Sequence, residues 1–282
     1  MGLAASPAGS EAGSGTLAET LSVDLRDLAG QLEAKLKGQP DDAGLNMALG
    51  EVYFMIGEAD VSGETPGEAG PRRMNEGFTK ADQRFRAALK ADPKEYLAHY
   101  YLALIRMQTG RMKEAVDELY TALELKGDDY RIYQKLHSSY TALGAHQQAV
   151  RVMRRALQVF PNTFDAYRRL AISTMIMGDH NIALDYSARA LKIAEDEGLR
   201  AIRADAFLAI NKPESALKEC EAMLRANGAN PVAHAAAARA YLMMGHGDKA
   251  RLSAERALEL SPSNTVAREV LDTLKAAPAA GK

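Results

Sequence analysis

The chain has 282 residues, 47% of them hydrophobic and 26% charged, which is enough apolar material for a long core, but it lacks the glycine-rich and β-branched runs of a nucleotide-binding α/β domain. A net charge of −2 supplies no concentrated positive field, so nucleic acid is not an expected partner. No apolar run approaches the ~18 residues needed to span a bilayer.

Residues 1–15 (MGLAASPAGSEAGSG) are small, polar and glycine-rich, the composition of a disordered tail. Their start fits the myristoylation pattern through Gly2 and Ser6. An alternative reading takes LAAS and the flexible stretch after it as a remnant of a lipoprotein processing region. Membrane association is expected only through such an N-terminal modification. Over residues 16–40, Leu21, Leu25, Leu28, Leu32 and Leu36 recur at steps of three and four, predicting an amphipathic capping helix that ends before Gly38 and Pro40. Its mixed charges argue for a cap and against a membrane-surface helix.

Six similar segments follow over residues 41–264. Ala81, Ala115, Ala149, Ala183, Ala216 and Ala250 are 34, 34, 34, 33 and 34 residues apart, and each precedes a leucine by eight residues: Leu89, Leu123, Leu157, Leu191, Leu224 and Leu258. Five residues before each of the last five alanines stands a turn former: Gly110, Gly144, Gly178, Asn211 and Gly245. A residue that adopts positive φ ends a first helix there, and the small alanine lets a second helix approach closely. Each segment is therefore a helical hairpin. One hairpin cannot cover its own apolar stripe, so neighbours must stack.

In this length and small-residue pattern the chain resembles the tetratricopeptide-repeat family. The resemblance implies an all-α, right-handed α-solenoid of about six hairpins with N- and C-terminal capping helices. It also implies a protein-binding scaffold or adaptor without chemistry of its own.

The first repeat departs from the pattern. Ala81 lies 24 residues beyond Gly57 where the other repeats use five, so residues 58–77 read as a flexible insertion, while the stretch from Met74 to Lys90 extends the second helix backwards. The fifth repeat is one residue short and carries Met223 in place of an alanine, so looser packing is expected there. A capping helix over 265–276 and a frayed tail over 277–282 complete the chain.

Catalytic motifs are missing: there is no G-x-x-x-x-G-K followed by Ser or Thr, no G-x-S-x-G and no H-E-x-x-H. No catalytic residue, metal ligand or cofactor is assigned. The six histidines are scattered, with His146 and His180 at equivalent turns a hairpin apart, too far for one ion. Cys220, the single cysteine, falls on the apolar stripe of a second helix and reads as a core residue, which fits a cytoplasmic protein. Periplasmic or membrane-anchored lipoprotein residence stays open.

Function is expected on the inner face of the first helices, which lines the concave side in such solenoids. The second repeat would present Tyr100, Tyr101, Leu104 and Met107, the third Arg131 and Lys135, and the fourth Arg168, Arg169 and Met175. From Arg131 to Arg169 seven basic residues (Arg131, Lys135, Arg151, Arg154, Arg155, Arg168, Arg169) face one acid, Asp165, an excess of +6. This predicts capture of a peptide or helical segment with acidic and apolar residues, because arginine forks pair carboxylates while tyrosine and methionine supply adaptable area. Arg151, Arg154 and Arg155, on a second helix, are expected to face outward. Family members that clamp a chaperone's C-terminal carboxylate use lysine, asparagine and arginine at set places. Met47, Glu51 and Tyr101 stand there in this chain, which argues against that role. Two alternatives remain: a lipoprotein-like assembly factor for a pilus or secretion machine, and a self-assembling homo-oligomeric scaffold, both patterned on relatives of the family.

Overall fold

The computed structural model describes residues 17–61 and 74–276, with side chains from residue 24. Among the described residues every regular element is helical. The expected tails, 1–15 and 277–282, and residues 62–73 lie outside the described residues.

The fourteen described helices, α1 to α14 in chain order, are Leu17–Gly38, Ala43–Val61, Glu76–Ala91, Tyr96–Gln108, Met112–Leu125, Tyr130–Ala142, His146–Val159, Phe164–Ile176, His180–Leu191, Glu197–Ala209, Pro213–Ala226, Pro231–Met243, Gly247–Leu260 and Thr265–Ala276. From α2 onward, even-numbered helices are the first and odd-numbered the second member of each hairpin, giving an all-α repeat solenoid. The five turn residues all adopt positive φ: 76° at Gly110, 68° at Gly144, 80° at Gly178, 57° at Asn211 and 74° at Gly245. This is the left-handed conformation that ends a helix and reverses the chain, and asparagine tolerates it better than most side chains. All six repeat alanines are fully buried.

The chain divides into two compact units, one up to Ile132 and the other from Tyr133. The first has an aromatic core. Phe78 and Phe85 are fully buried, the Phe54 and Phe78 rings lie 5.6 Å apart, and Phe85 stacks on Tyr101 at 5.0 Å. The second unit buries Tyr133, Leu136, Met153, Leu170 and Leu199 in its earlier hairpins and relies on small residues in its later ones, with Ala204, Ala216, Ala233 and Ala240 in one group and Ala250, Ala254, Ala257 and Ala267 in another. Alanine hides little area per residue but brings helix axes close, so dispersion contacts accumulate along their length.

The first hairpin differs from the sequence expectation. α2 runs straight through Gly57 to Val61, and α3 begins at Glu76, so residues 58–61 and 76–77 of the expected flexible insertion are helical. Asn75 caps α3, accepting from the Phe78 N–H at 2.8 Å and donating its amide to the Gly57 carbonyl at 2.7 Å. Gly57 therefore serves as a helix-crossing residue and not as a turn. In the fifth repeat Met223 and Cys220 are each 1% exposed, so the larger methionine fills the space instead of loosening it.

Burial pushes the Cys220 thiol up to about 12. Because the thiolate is the reactive form, iodoacetamide at pH 8 should leave the folded protein unmodified and label Cys220 only as urea unfolds it. Labelling of the native protein, followed by intact mass, would contradict this placement.

Candidate functional site

The first-helix residues singled out by the sequence fall into both units, and each set is held by its own neighbours. In the first unit, Tyr101, Leu104 and Met107 on α4 are half-buried. Tyr101 stacks on Phe85 and meets Phe54 edge-on at 5.4 Å. Its hydroxyl is hydrogen-bonded with Glu51, whose carboxyl is pushed up by burial and by the nearby charge of Glu95. Tyr100, expected to be exposed, is buried at 7% because its position on α4 turns it beneath Arg131, whose guanidinium lies 5.4 Å from the ring centroid. The ring acts as a platform for the arginine.

Arg131 itself is exposed, but Asp129 engages it through three hydrogen bonds of 2.6 to 3.2 Å, which keep its guanidinium charged and bring Asp129 below its usual range.

In the second unit, Lys135 on α6 is half-buried with no ion pair among the described residues. On α8, Arg168 reaches Asp196 at 3.4 Å and Arg169 reaches Asp165 at 2.7 Å. Met175, one helical turn and a half further on, takes the His180 ring against its sulfur at 3.4 Å. Two acids outside the counted window thus pair two of its seven basic residues, Arg131 and Arg168, while Lys135, Arg151, Arg154 and Arg155 have no ion pair among the described residues. Asp129 lies two residues before the counted window and Asp196 27 residues after it. Arg151, Arg154 and Arg155 on α7 are exposed, and Arg154 donates to the Tyr186 hydroxyl at 2.8 Å. Asp196 and Asp165 thus hold Arg168 and Arg169, while Lys135 is left without an acid among the described residues.

Sequence reasoning missed a polar group behind that face. Gln134 donates to Asp165 at 2.9 Å, and the buried His137 ring lies 2.9 Å from the Ser173 hydroxyl and 3.4 Å from Arg169. Burial, with Arg169 beside it, lowers His137 to about 4. A lone histidine on an apolar stripe carries no motif, so the partners of His137, 6% exposed, become visible only once α6 and α8 are side by side. His137 must therefore be neutral when folded, while it titrates near its ordinary value when unfolded. Stability is complete above about pH 6.5 and declines as pH falls toward 4. Allowing for solvent screening, about 1–2 kcal/mol should be lost between pH 7.5 and pH 5. Urea unfolding at both pH values checks this: His137→Gln should remove most of the difference, and an unchanged slope would contradict it.

No group of His, Cys, Asp and Glu able to hold a metal occurs among the described residues, and none of their helices is long and apolar enough to cross a membrane. Met47, at a clamp position, is buried at 8% and unavailable to a ligand.

A family model described as Tetratricopeptide repeat matches residues 73–130. No curated protein matches the chain. Among solved structures, YrrB, described as a TPR protein with an unusual peptide-binding site, is similar at 18% identity and a TM-score of 0.59, covering 67% of this chain and 97% of its own. PilF of Pseudomonas aeruginosa is similar at 17% identity and a TM-score of 0.57, covering 84% and 99%. MamA of Desulfovibrio magneticus is similar at 16% identity and a TM-score of 0.56, covering 60% and 97%. At these identities the likeness is one of fold.

Proposed function

We propose that this tetratricopeptide-repeat protein is a non-enzymatic scaffold or adaptor whose first-helix faces hold a segment of a partner protein. The observation that carries the reading is the state of the charges on α6 and α8. Lys135 has no acid partner among the described residues, and Arg168 and Arg169 keep 43% and 26% of their side chains exposed while Asp196 and Asp165 fix their direction. A guanidinium carries five donors, so one carboxylate does not exhaust it, and an oriented fork loses little entropy on binding another. Met175 adds adaptable apolar area beside them. In the first unit Tyr101, Leu104 and Met107 supply such area, with Tyr100 as the support for Arg131. The partner segment that suits the second unit carries acidic and apolar residues, with no cofactor and no covalent step. The same reading places the protein in the cytoplasm, and cell fractionation tests that part.

The charge reversals that test it are Lys135→Glu with Arg168→Glu, chosen because Arg169 also neighbours His137 and its loss would disturb packing. Against acidic peptides selected on the wild-type protein from a displayed library, the double variant should lose about tenfold or more in affinity with unchanged helicity. Equal affinity would remove α6 and α8 from the binding surface.

A further inference from the structure

Two carboxylates on the α2 face have no cation among the described residues. Glu51 and Glu58 are seven residues apart on that helix, two turns, which puts them on one face roughly 10 Å apart. Their partners on α4 are neutral and equally spaced: the Tyr101 hydroxyl is hydrogen-bonded with Glu51, and the Gln108 amide donates to Glu58 at 3.3 Å. These cross-bridges set α2 and α4 side by side in register. Between them lies apolar surface, with Met55 45% exposed and Leu104 half-buried. The nearest cation felt by Tyr101, Arg131, is already taken by Asp129. The strip therefore has an uncompensated negative charge at each end and an adaptable apolar middle.

The geometry points to a docking strip on α2 and α4 for a basic amphipathic helix of a partner, with Lys or Arg seven residues apart over Glu51 and Glu58 and leucines between them against Met55 and Leu104. A helical occupant is specified because seven residues of helix match the carboxylate separation, and three- and four-residue steps place its apolar side chains over the middle. Burial and Glu95 raise the cost of holding Glu51 ionised alone, and an incoming cation would relieve that cost. This inference rests on the reading that first-helix faces hold partner segments, and it assigns the first unit a partner chemistry opposite in sign to that of the second.

The test uses the full chain and two labelled 18-residue helical peptides. One carries Lys-x-x-Leu-Leu-x-x-Lys, and in the other the lysines are replaced by glutamates. The basic peptide should bind wild type, weaken as salt rises, weaken about tenfold or more on Glu51→Gln with Glu58→Gln, and be unaffected by Lys135→Glu with Arg168→Glu. Met55→Ser, at an exposed position and without added charge, is a second variant that should reduce apolar contact and weaken binding if the glutamine pair proves poorly folded by circular dichroism. No binding of the basic peptide, or binding that neither the glutamine pair nor Met55→Ser weakens, overturns the inference. Acidic-peptide binding alone, lost in Lys135→Glu with Arg168→Glu, would overturn it while sparing the second unit's reading. Failure of both peptides would overturn both.

Discussion

Asp82→Ala should destabilise the first unit by about 3–5 kcal/mol, because it strands a buried positive charge. Arg106 on α4 is 3% exposed and its guanidinium lies 2.6 Å from Asp82 on α3, with Glu114 as a weaker second partner at 3.8 Å. Asp82 also receives Arg86 at 2.7 Å. Burial by itself would raise the Asp82 carboxyl, yet Arg86 and Arg106 together outweigh that and hold it below its ordinary value. The folded chain thus binds this proton less readily than the unfolded one. The associated stability is present above the ordinary carboxylate range and is lost as pH falls through the depressed folded value. Urea unfolding of the single and double variants separates pair from charge. Arg106→Met should cost less than Asp82→Ala, since Asp82 keeps Arg86, and Asp82→Ala with Arg106→Met should recover most of the loss. A loss under about 1 kcal/mol for Asp82→Ala would mean that Arg106 finds water or Glu114 instead.

Gly77→Ala is the second large effect, at about 3 kcal/mol. A β-carbon on Gly77 would sit 2.5 Å from the Gly57 nitrogen, 2.6 Å from its α-carbon and 2.9 Å from the Tyr53 carbonyl oxygen. These are backbone atoms, so no rotamer change relieves the overlap and α2 and α3 must separate, loosening Phe78 and Asn75 with them. Gly30→Ala in α1 is the control. Nothing lies within 4 Å of its added β-carbon, and alanine is the better helix former, so it should stabilise by roughly 0.5–1 kcal/mol. Thermal melts of the two variants should move in opposite directions. Equal, small shifts would place the crossing of α2 and α3 elsewhere.

These two sites mark the boundary of what the sequence discloses. The hairpin register is legible because steric rules act locally: positive φ at Gly110 or Asn211 and a small residue at Ala115 or Ala216 recur at fixed offsets. The Gly57–Gly77 crossing is not, because Gly57 reads as a turn and Gly77 falls at the end of a segment whose composition reads as loop, whereas both stand in helices that meet at these two residues. The charge pattern is only partly legible for a related reason. Counting from Arg131 to Arg169 treats the chain as a line, whereas Asp129, two residues before that window, and Asp196, 27 residues after it, pair with Arg131 and Arg168 in space. Glu51 and Glu58 went unremarked as a pair, since two glutamates seven apart are common on solvated helices. Their meaning comes from the neutral partners, Tyr101 and Gln108, that α4 sets opposite them.

The central claim is that partner segments rest on the first helices. Site-specific photo-crosslinking in the parent cells tests it most directly, with a photoreactive amino acid placed at Leu104 or Ile172 on first helices and at Arg155 or Leu252 on second helices. The account predicts partner adducts from Leu104 and Ile172 and none from Arg155 or Leu252, although Leu252 is 70% exposed. Adducts that arise mainly from the second-helix positions would contradict it.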